Sequence, residues 1–220
     1  MTSYAVKFEK FMIGGCEYQL RSLLDRQQYS DPDGVAERLG ISSATWPLFG
    51  LLWPAGCVLA SHMSGTAFAG RRVLEVGCGL GLASLVAHTQ LADVVASDVH
   101  PLADAFLQAN AALNGLTPIP FHRGDWQVAD PGLGRFDLII GSDLLYERML
   151  PAALAEFIEL HAAADAEVIV VDPDRGQQGR FTRSMDRHGF GHAVTRVARH
   201  DTPGGSFKGC VHTYSRGRVG

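Results

Sequence analysis

The chain reads as a doubly wound α/β protein built on a seven-stranded sheet, and three observations point there. From Arg71 onward, short apolar runs alternate with helix-like segments, the pattern of successive βαβ units. The first of these runs ends in Glu75-Val76-Gly77-Cys78-Gly79-Leu80-Gly81 and leads into a helix, as a strand does when it turns sharply and lets its backbone approach a ligand. Near the end of the chain, two extended segments follow one another with only a turn between them, so one of them must run antiparallel.

Taken in order, Lys7 to Ile13, Gly14-Gly15 and Cys16 to Leu20 predict a β-hairpin with a two-residue turn. Arg21 to Leu39 is polar and predicted partly helical, broken near Ser30-Asp31-Pro32-Asp33-Gly34. Trp46 to Ser64 is apolar and helix-like, with Pro54 near a helix start. These parts make an N-terminal extension over residues 1–66. The main domain, 67–220, is expected to form one compact unit with it. Its predicted parallel strands are Arg72–Gly77, Val94–Val99, Pro120–Gly124, Phe136–Asp143 and Glu167–Asp172. The helices between them are Leu82–Gln90, Leu102–Asn114, Leu150–Ala164 and Gln178–His188. Gly191–His200 and Gly209–Arg216 complete the seven strands around Thr202-Pro203-Gly204-Gly205. In such sheets ligands sit beyond the carboxyl ends of the strands, which places Glu75–Gly81, Asp98, Asp125-Trp126, Asp143–Tyr146 and Asp172–Arg175 on one rim.

Composition narrows the function classes. With 220 residues, 46% hydrophobic and 19% charged, the chain can bury a real core. A net charge of -4 offers no general attraction to nucleic acid, but it is compatible with a cationic substrate. Four scattered cysteines with no C-x-x-C pair argue against a disulfide framework and a zinc site, and fit a reducing compartment, the cytoplasm. His188 and His192 are separated by glycines and do not form a helical metal face, so no metal is expected. No secretory signal or membrane-spanning run is visible. Arg216-Gly217-Arg218 is too short for a nucleic-acid arm.

The glycine spacing separates two cofactors. A dinucleotide fingerprint places its last small residue inside the helix; counted from Gly77 that position is Leu82, and from Gly79 it is Ser84. Neither frame fits, which disfavours an NAD-dependent oxidoreductase. Glu75-x-Gly77-x-Gly79-x-Gly81 instead resembles motif I of class I S-adenosylmethionine-dependent methyltransferases. That resemblance implies a Rossmann-like sheet with its last strand antiparallel, S-adenosylmethionine as cofactor and S-adenosylhomocysteine as product. It places Glu75, Gly77, Cys78, Gly79 and Gly81 at the cofactor. Asp98, 17 residues past Gly81, stands where an acidic residue accepts hydrogen bonds from ribose hydroxyls; the alternative is an N-cap for the helix after Pro101. Val99 and His100 are expected to flank the adenosine, although His100 is equally well read as a loop histidine. In methyltransferases an acidic residue at the position of Asp125 usually meets the adenine amino group, with an apolar neighbour, here Trp126, over the ring. Ser142, at the end of the fourth strand, joins the same set.

Asp143-x-x-Tyr146 resembles the D-x-x-Y signature of the methyltransferase-16 family of lysine methyltransferases, and the hairpin and Leu51-Leu52-Trp53-Pro54 are similar to that family too. Members modify lysines on protein targets, and some relatives act on small amines. The resemblance implies that Asp143 orients the incoming ammonium, that Tyr146 closes over the substrate channel, and that Trp53 packs over the cofactor. A lysine amine, with pKa about 10.4, must be desolvated, aligned and deprotonated before attack. Asp143 and Glu147, with Asp172-Pro173-Asp174-Arg175, are expected to make the mouth acidic. Three readings stay open: a protein lysine methyltransferase, a small-molecule amine or nicotinamide-type N-methyltransferase, and a non-catalytic cofactor-binding module. Leu144-Leu145 replaces the proline pair of nucleic-acid amino methyltransferases, and no Pro-Cys nucleophile for cytosine methylation is present.

Overall fold

A computed structural model describes residues 4–126, 128, 131–146, 150–174 and 176–217. The N-terminal hairpin is present as its own two-stranded sheet, β1 (Val6–Ile13) and β2 (Cys16–Leu23), turning at Gly14-Gly15. The segment predicted to be partly helical contributes the end of β2 and one helical turn, α1 (Val35–Arg38). Asp31 holds that turn, its carboxylate accepting the Ala36 and Glu37 amides at 3.0 and 2.9 Å. The apolar stretch from Trp46 is not one helix. It divides into a 3-10 turn, Trp46–Gly50, and α2 (Pro54–Ser64), because Pro54 forces Trp53 into extended backbone (φ -93°, ψ 143°).

The main sheet contains β3 (Arg72–Val76), β4 (Asp93–Asp98), β5 (Phe121–Arg123), β6 (Phe136–Ser142), β7 (Ala162–Asp172), β8 (Gly191–Thr202) and β9 (Gly205–Ser215). Their order across the sheet is β5-β4-β3-β6-β7-β9-β8. β9, the last strand of the chain, is the antiparallel one, and it inserts between β7 and β8. Helices α3 (Leu82–Thr89), α4 (Ala103–Leu113), α5 (Leu150–His161) and α6 (Gln178–Arg187) fill the crossovers. The chain travels outward from β3 through β4 to β5, then returns to start β6 on the other side of β3. The strand order therefore reverses between β3 and β6, and a crevice opens there at the carboxyl ends.

Two apolar clusters fill the two faces. One joins α2, α3 and α4 to the hairpin and the 3-10 turn, with Trp46, Leu59, Phe106 and Leu20 at its centre. The other lies under α5 and α6 around Phe136, Phe181, Met185 and Tyr214. The largest boundary shifts from the sequence expectation are in the last hairpin, where β9 begins at Gly205 rather than Gly209, and after α5, which stops at His161 so that β7 begins at Ala162 rather than Glu167. Ala162, Ala163 and Ala164 favour helix, but pairing of Ala162 with Phe136 draws them into the sheet.

The extension docks through α4. Asn110 and Asn114, one turn apart, present their amides to the edge of β2 as a neighbouring strand would. The Asn110 Oδ1 accepts the Arg21 amide at 2.7 Å and the Asn114 Oδ1 accepts the Gln19 amide at 2.9 Å. In return Asn114 Nδ2 donates to the Gln19 carbonyl at 2.7 Å, and Asn110 Nδ2 donates to the carbonyls of Arg21 and of Leu80 in the glycine loop, at 3.3 and 3.1 Å. Asn110 is completely buried. Asn110→Ala strands backbone groups on both sides of this junction and is expected to cost about 3 kcal/mol, and Asn114→Ala, half-exposed, about half as much. Urea unfolding of the two variants tests this; equal, sub-kcal losses would mean water replaces both amides.

Candidate functional site

The glycine loop is shaped by three left-handed residues, Gly77, Gly79 and Gly81, with φ of 60°, 53° and 73°. Gly79 has a second reason to lack a side chain: a Cβ there would lie 2.7 Å from the Phe49 carbonyl oxygen, backbone that cannot move aside. Loop and extension thus touch main chain to main chain.

Two carboxylates hold the loop. Glu75 is buried at the end of β3, and its Oε2 accepts the Ser84 amide at 2.8 Å and the Ser84 hydroxyl at 2.5 Å. Ser84 is the third residue of α3, so Glu75 caps that helix from below and steadies the turn above it. Asp98, at the end of β4, accepts the Gly79 amide on Oδ2 at 2.9 Å and the His100 amide on Oδ1 at 2.8 Å. Its alternative role as a helix cap is not realised: α4 has Leu102 at its N-cap and no side-chain cap there. Both Asp98 oxygens keep lone pairs for further donors.

A cavity of about 340 Å³ opens in the crevice, a size suited to a small cofactor. Every sequence-predicted residue except Gly81 lines it: Trp53, Glu75, Gly77, Cys78, Gly79, Asp98, Val99, Asp125, Trp126, Ser142, Asp143 and Tyr146. Gly81 instead starts α3 and packs toward Leu107, so its part is to bend the loop. Cys78 is buried, and its thiol is pushed well up by burial and by the nearby Asp98 and Glu75, which favours the protonated thiol.

The remaining wall was not foreseen. Phe49 and Leu48 of the 3-10 turn, with Leu39 and Ile41, close the side that faces the extension. The available signal was the aromatic and Pro-Gly content of Trp46-Pro47-Leu48-Phe49-Gly50, which reads equally well as helix. His100 stacks on Phe49 (ring centroids 3.6 Å apart, planes 10° apart) and meets Trp46 edge-on. Its Nδ1 accepts the Leu102 amide, which leaves the proton on Nε2. That Nε2 is buried and has no hydrogen-bond partner among the described residues, and His100 lines the cavity, so a ligand acceptor within reach would satisfy it. Burial pushes the imidazole down to about 3, so it stays neutral. The acceptor carboxylates of Asp98 and Asp125, the unpartnered His100 nitrogen and the Trp126 ring line one cavity, a set of groups whose chemistry is compatible with an adenosine-containing ligand.

Asp143 lies one residue past β6 with φ of 55°, a left-handed conformation costly for most side chains but accessible to Asp and Asn. Its amide donates to the Val171 carbonyl at 2.9 Å and ties the ends of β6 and β7 together. Tyr146 stands at the opening, 48% exposed. The Trp53 indole donates to the Leu48 carbonyl at 2.8 Å, and the Arg26 guanidinium lies 4.8 Å from its ring centre. Trp53 and Asp143 also wall a second depression of about 600 Å³ on the outer side, between the hairpin and the β8–β9 turn. Its rim carries Lys7, Arg26 and Lys208 as well as Glu9 and Asp25, so the expected acidic mouth is a mixed one among the described residues. Pro173 lies there, whereas Asp172 is buried and Asp174 turns toward Cys210; Glu147 and Arg175 lie outside the described residues, as does Arg218.

Burial pushes Glu75 up to about 7, against the pull of the two Ser84 hydrogen bonds, and the charge of Asp98 adds to the rise. A raised carboxyl contributes stability fully below the ordinary value of 4.5 and loses it as pH climbs through about 7. His100 acts in the opposite sense: depressed from 6.5 to about 3, its contribution is present above the ordinary value and lost as pH falls toward the folded one. Glu75→Gln removes only the first effect. Relative to the wild type, that variant is expected to gain on the order of 3 kcal/mol from about pH 5 to about pH 8, read from denaturant unfolding at each pH. A difference that stays flat would show that Glu75 titrates as an ordinary carboxyl.

Comparison with known proteins bears on the family and the fold. The electron transfer flavoprotein beta subunit lysine methyltransferase of Danio rerio is 29% identical over 165 residues, which cover 71% of this chain and 59% of that protein. Calmodulin-lysine N-methyltransferase of Arabidopsis thaliana is also 29% identical, over 65% of this chain and 51% of its own length. The chain thus spans a little over half the length of these two relatives. Among solved structures, magnesium protoporphyrin IX methyltransferase from Synechocystis PCC 6803, with bound S-adenosylmethionine, shares the fold at a TM-score of 0.56 and 20% identity, over 74% of this chain and 78% of that one. The family model for lysine methyltransferases matches residues 43–188, from the 3-10 wall of the cavity to the end of α6, and the chain belongs to that family.

Proposed function

We propose that the protein transfers a methyl group from S-adenosylmethionine to the side-chain nitrogen of a lysine on a protein target. The observation that carries this reading is the position of Asp143, held in a left-handed conformation between the cofactor cavity and the outer depression. When bound, the cofactor supplies an electrophilic methyl on a sulfonium. Asp98 would hold its ribose hydroxyls, Asp125 and Trp126 its adenine, and Glu75, Gly77, Cys78, Gly79 and Ser142 the remaining wall, with Val99 alongside. The lysine enters from the outer side past Trp53. Asp143 accepts a charge-assisted hydrogen bond from the ammonium and points the nitrogen inward, while Tyr146 and Trp53 exclude bulk water from its path. The proton leaves through water before attack, and no strong general base is required.

Several features support a protein acceptor over a small amine. The outer depression is wide and open, is built partly from the hairpin, and carries charges of both signs. The two compared relatives are named for protein targets. The net charge of -4 speaks against nucleic acid. No described helix is long and apolar enough to cross a membrane. All four cysteines are free, which supports a reducing compartment such as the cytoplasm. Because both segments wall the cavity, residues 1–66 and 67–220 are read as one working unit.

Asp143→Asn keeps the left-handed backbone and removes the charge. It is expected to bind the cofactor as the wild type does by calorimetry, and to lose about 100-fold or more in turnover. Unchanged turnover would remove Asp143 from the mechanism. The acceptor class is read by incubating the protein with radiolabelled S-adenosylmethionine in a lysate lacking the endogenous enzyme. Label in a discrete protein band supports lysine methylation of a protein; label confined to small molecules transfers the assignment to an amine acceptor; cofactor binding with no label in either fraction leaves the non-catalytic reading or an acceptor missing from the lysate.

A further inference from the structure

Beyond the methyl-transfer crevice, on the α6 face of the sheet, three residues of metal-binding type converge from separate parts of the chain. Cys210 and His212 alternate on β9 and so share one face. Asp174 stands two residues past β7, whose last residue, Asp172, pairs with Cys210 across the sheet. A carboxylate oxygen of Asp174, the Cys210 sulfur and a ring nitrogen of His212 all lie within 4.8 Å of one another, and Cys210 Sγ is 3.7 Å from Asp174 Oδ2. In a tetrahedral zinc site with bonds of about 2.0 to 2.3 Å, neighbouring ligand atoms stand roughly 3.3 to 3.5 Å apart. The cluster thus needs only a small contraction.

Three further observations match a built site. His212 Nδ1 lies 3.0 Å from His192 Nε2 on the neighbouring strand, the outer hydrogen bond that orients a metal-ligating imidazole. His212 Nε2 is buried and has no hydrogen-bond partner among the described residues, so that ring nitrogen is open to a ligand. Asp174 holds a left-handed φ of 60°, costly except for Asp or Asn, and its side chain is exposed where Cys210 and His212 are buried, which leaves an entry path.

We propose that Asp174, Cys210 and His212 bind one divalent transition-metal ion, zinc by the match of carboxylate, thiolate and imidazole, with water in the fourth position and His192 orienting His212. Binding exchanges the Cys210 thiol proton for a metal–sulfur bond and releases that proton to solvent, with no change in oxidation state. The ion would pin the loop after β7 to β9, on the side of Pro173 away from the crevice. The proposal does not depend on the acceptor or on catalysis.

The test uses untagged full-length protein carrying Cys16→Ser, which removes the exposed thiol, stripped with chelator and desalted. Zinc is then titrated in competition with a chromogenic chelator, and cobalt is added to a parallel sample. The expected result is one zinc per chain and a thiolate-to-cobalt charge-transfer band. Cys210→Ser should abolish the band, and Asp174→Asn should weaken zinc binding by about 10-fold or more. Asp174 is exposed and Asn keeps its backbone, so that variant tests the site even if Cys210→Ser or a change at His212 does not fold; circular dichroism checks each. Absence of the band, or equal zinc affinity in wild type and Asp174→Asn, would overturn the site and leave only a thiol-to-carboxylate hydrogen bond.

Discussion

The bond between Glu75 and Ser84 is the contact on which the site depends. A carboxylate at the end of β3 is taken out of water and given the amide and hydroxyl of the first turn of α3 in exchange. Because strand and helix are joined at that point, the path of the loop between them is restrained, and its Cys78, Gly79 and Gly81 amides are bonded to Ser97, Asp98 and Cys78. The cost is a buried acid pushed up to about 7 in a neutral-pH protein. Such a charge is tolerated because the helix N-terminus offers donors that have no other partner.

From that junction the restraint spreads outward. Asp98 accepts the Gly79 amide and joins β4 to the loop. Gly79 leaves room for the Phe49 carbonyl, and Asn110 bonds the Leu80 carbonyl on one side and the β2 edge on the other. His100, neutral and stacked on Phe49, completes the contact. The extension is thereby part of the cavity wall, and one side chain, Asn110, bonds both the hairpin and the glycine loop.

Local patterns of residues carried much of this information. Alternation of apolar runs and helical periods placed the strands of the main sheet, and the Pro54 signal placed a helix start within a longer apolar stretch. The end of α5 was not legible, because three alanines prefer helix while their cross-strand partner, Phe136, is distant in sequence. The polar segment from Arg21 to Leu39 was legible only as partly helical with a break near Ser30 to Gly34; that its helix is a single turn, held by the Asp31 carboxylate, is decided by the structure. Mouth charge could not be read at all, since Lys7, Arg26 and Lys208 reach that rim from three separate parts of the chain.

What the amino-acid sequence determined by itself was local chemistry: which residues can turn left-handed, cap a helix or end a strand in an acid. Glu75 through Gly81, Asp98 and the segment from Asp143 to Tyr146 were recognisable because their meaning lies in spacings of a few residues and in the alternation of strand and helix. Only the tertiary structure decided which distant groups meet. It set Phe49 against His100, Trp53 between two cavities, and Asp174 beside Cys210 and His212. The physical reason is that hydrogen bonding and backbone conformation act over one or two turns, whereas packing joins residues according to sheet order, and the reversal between β3 and β6 and the insertion of β9 are properties of the whole fold.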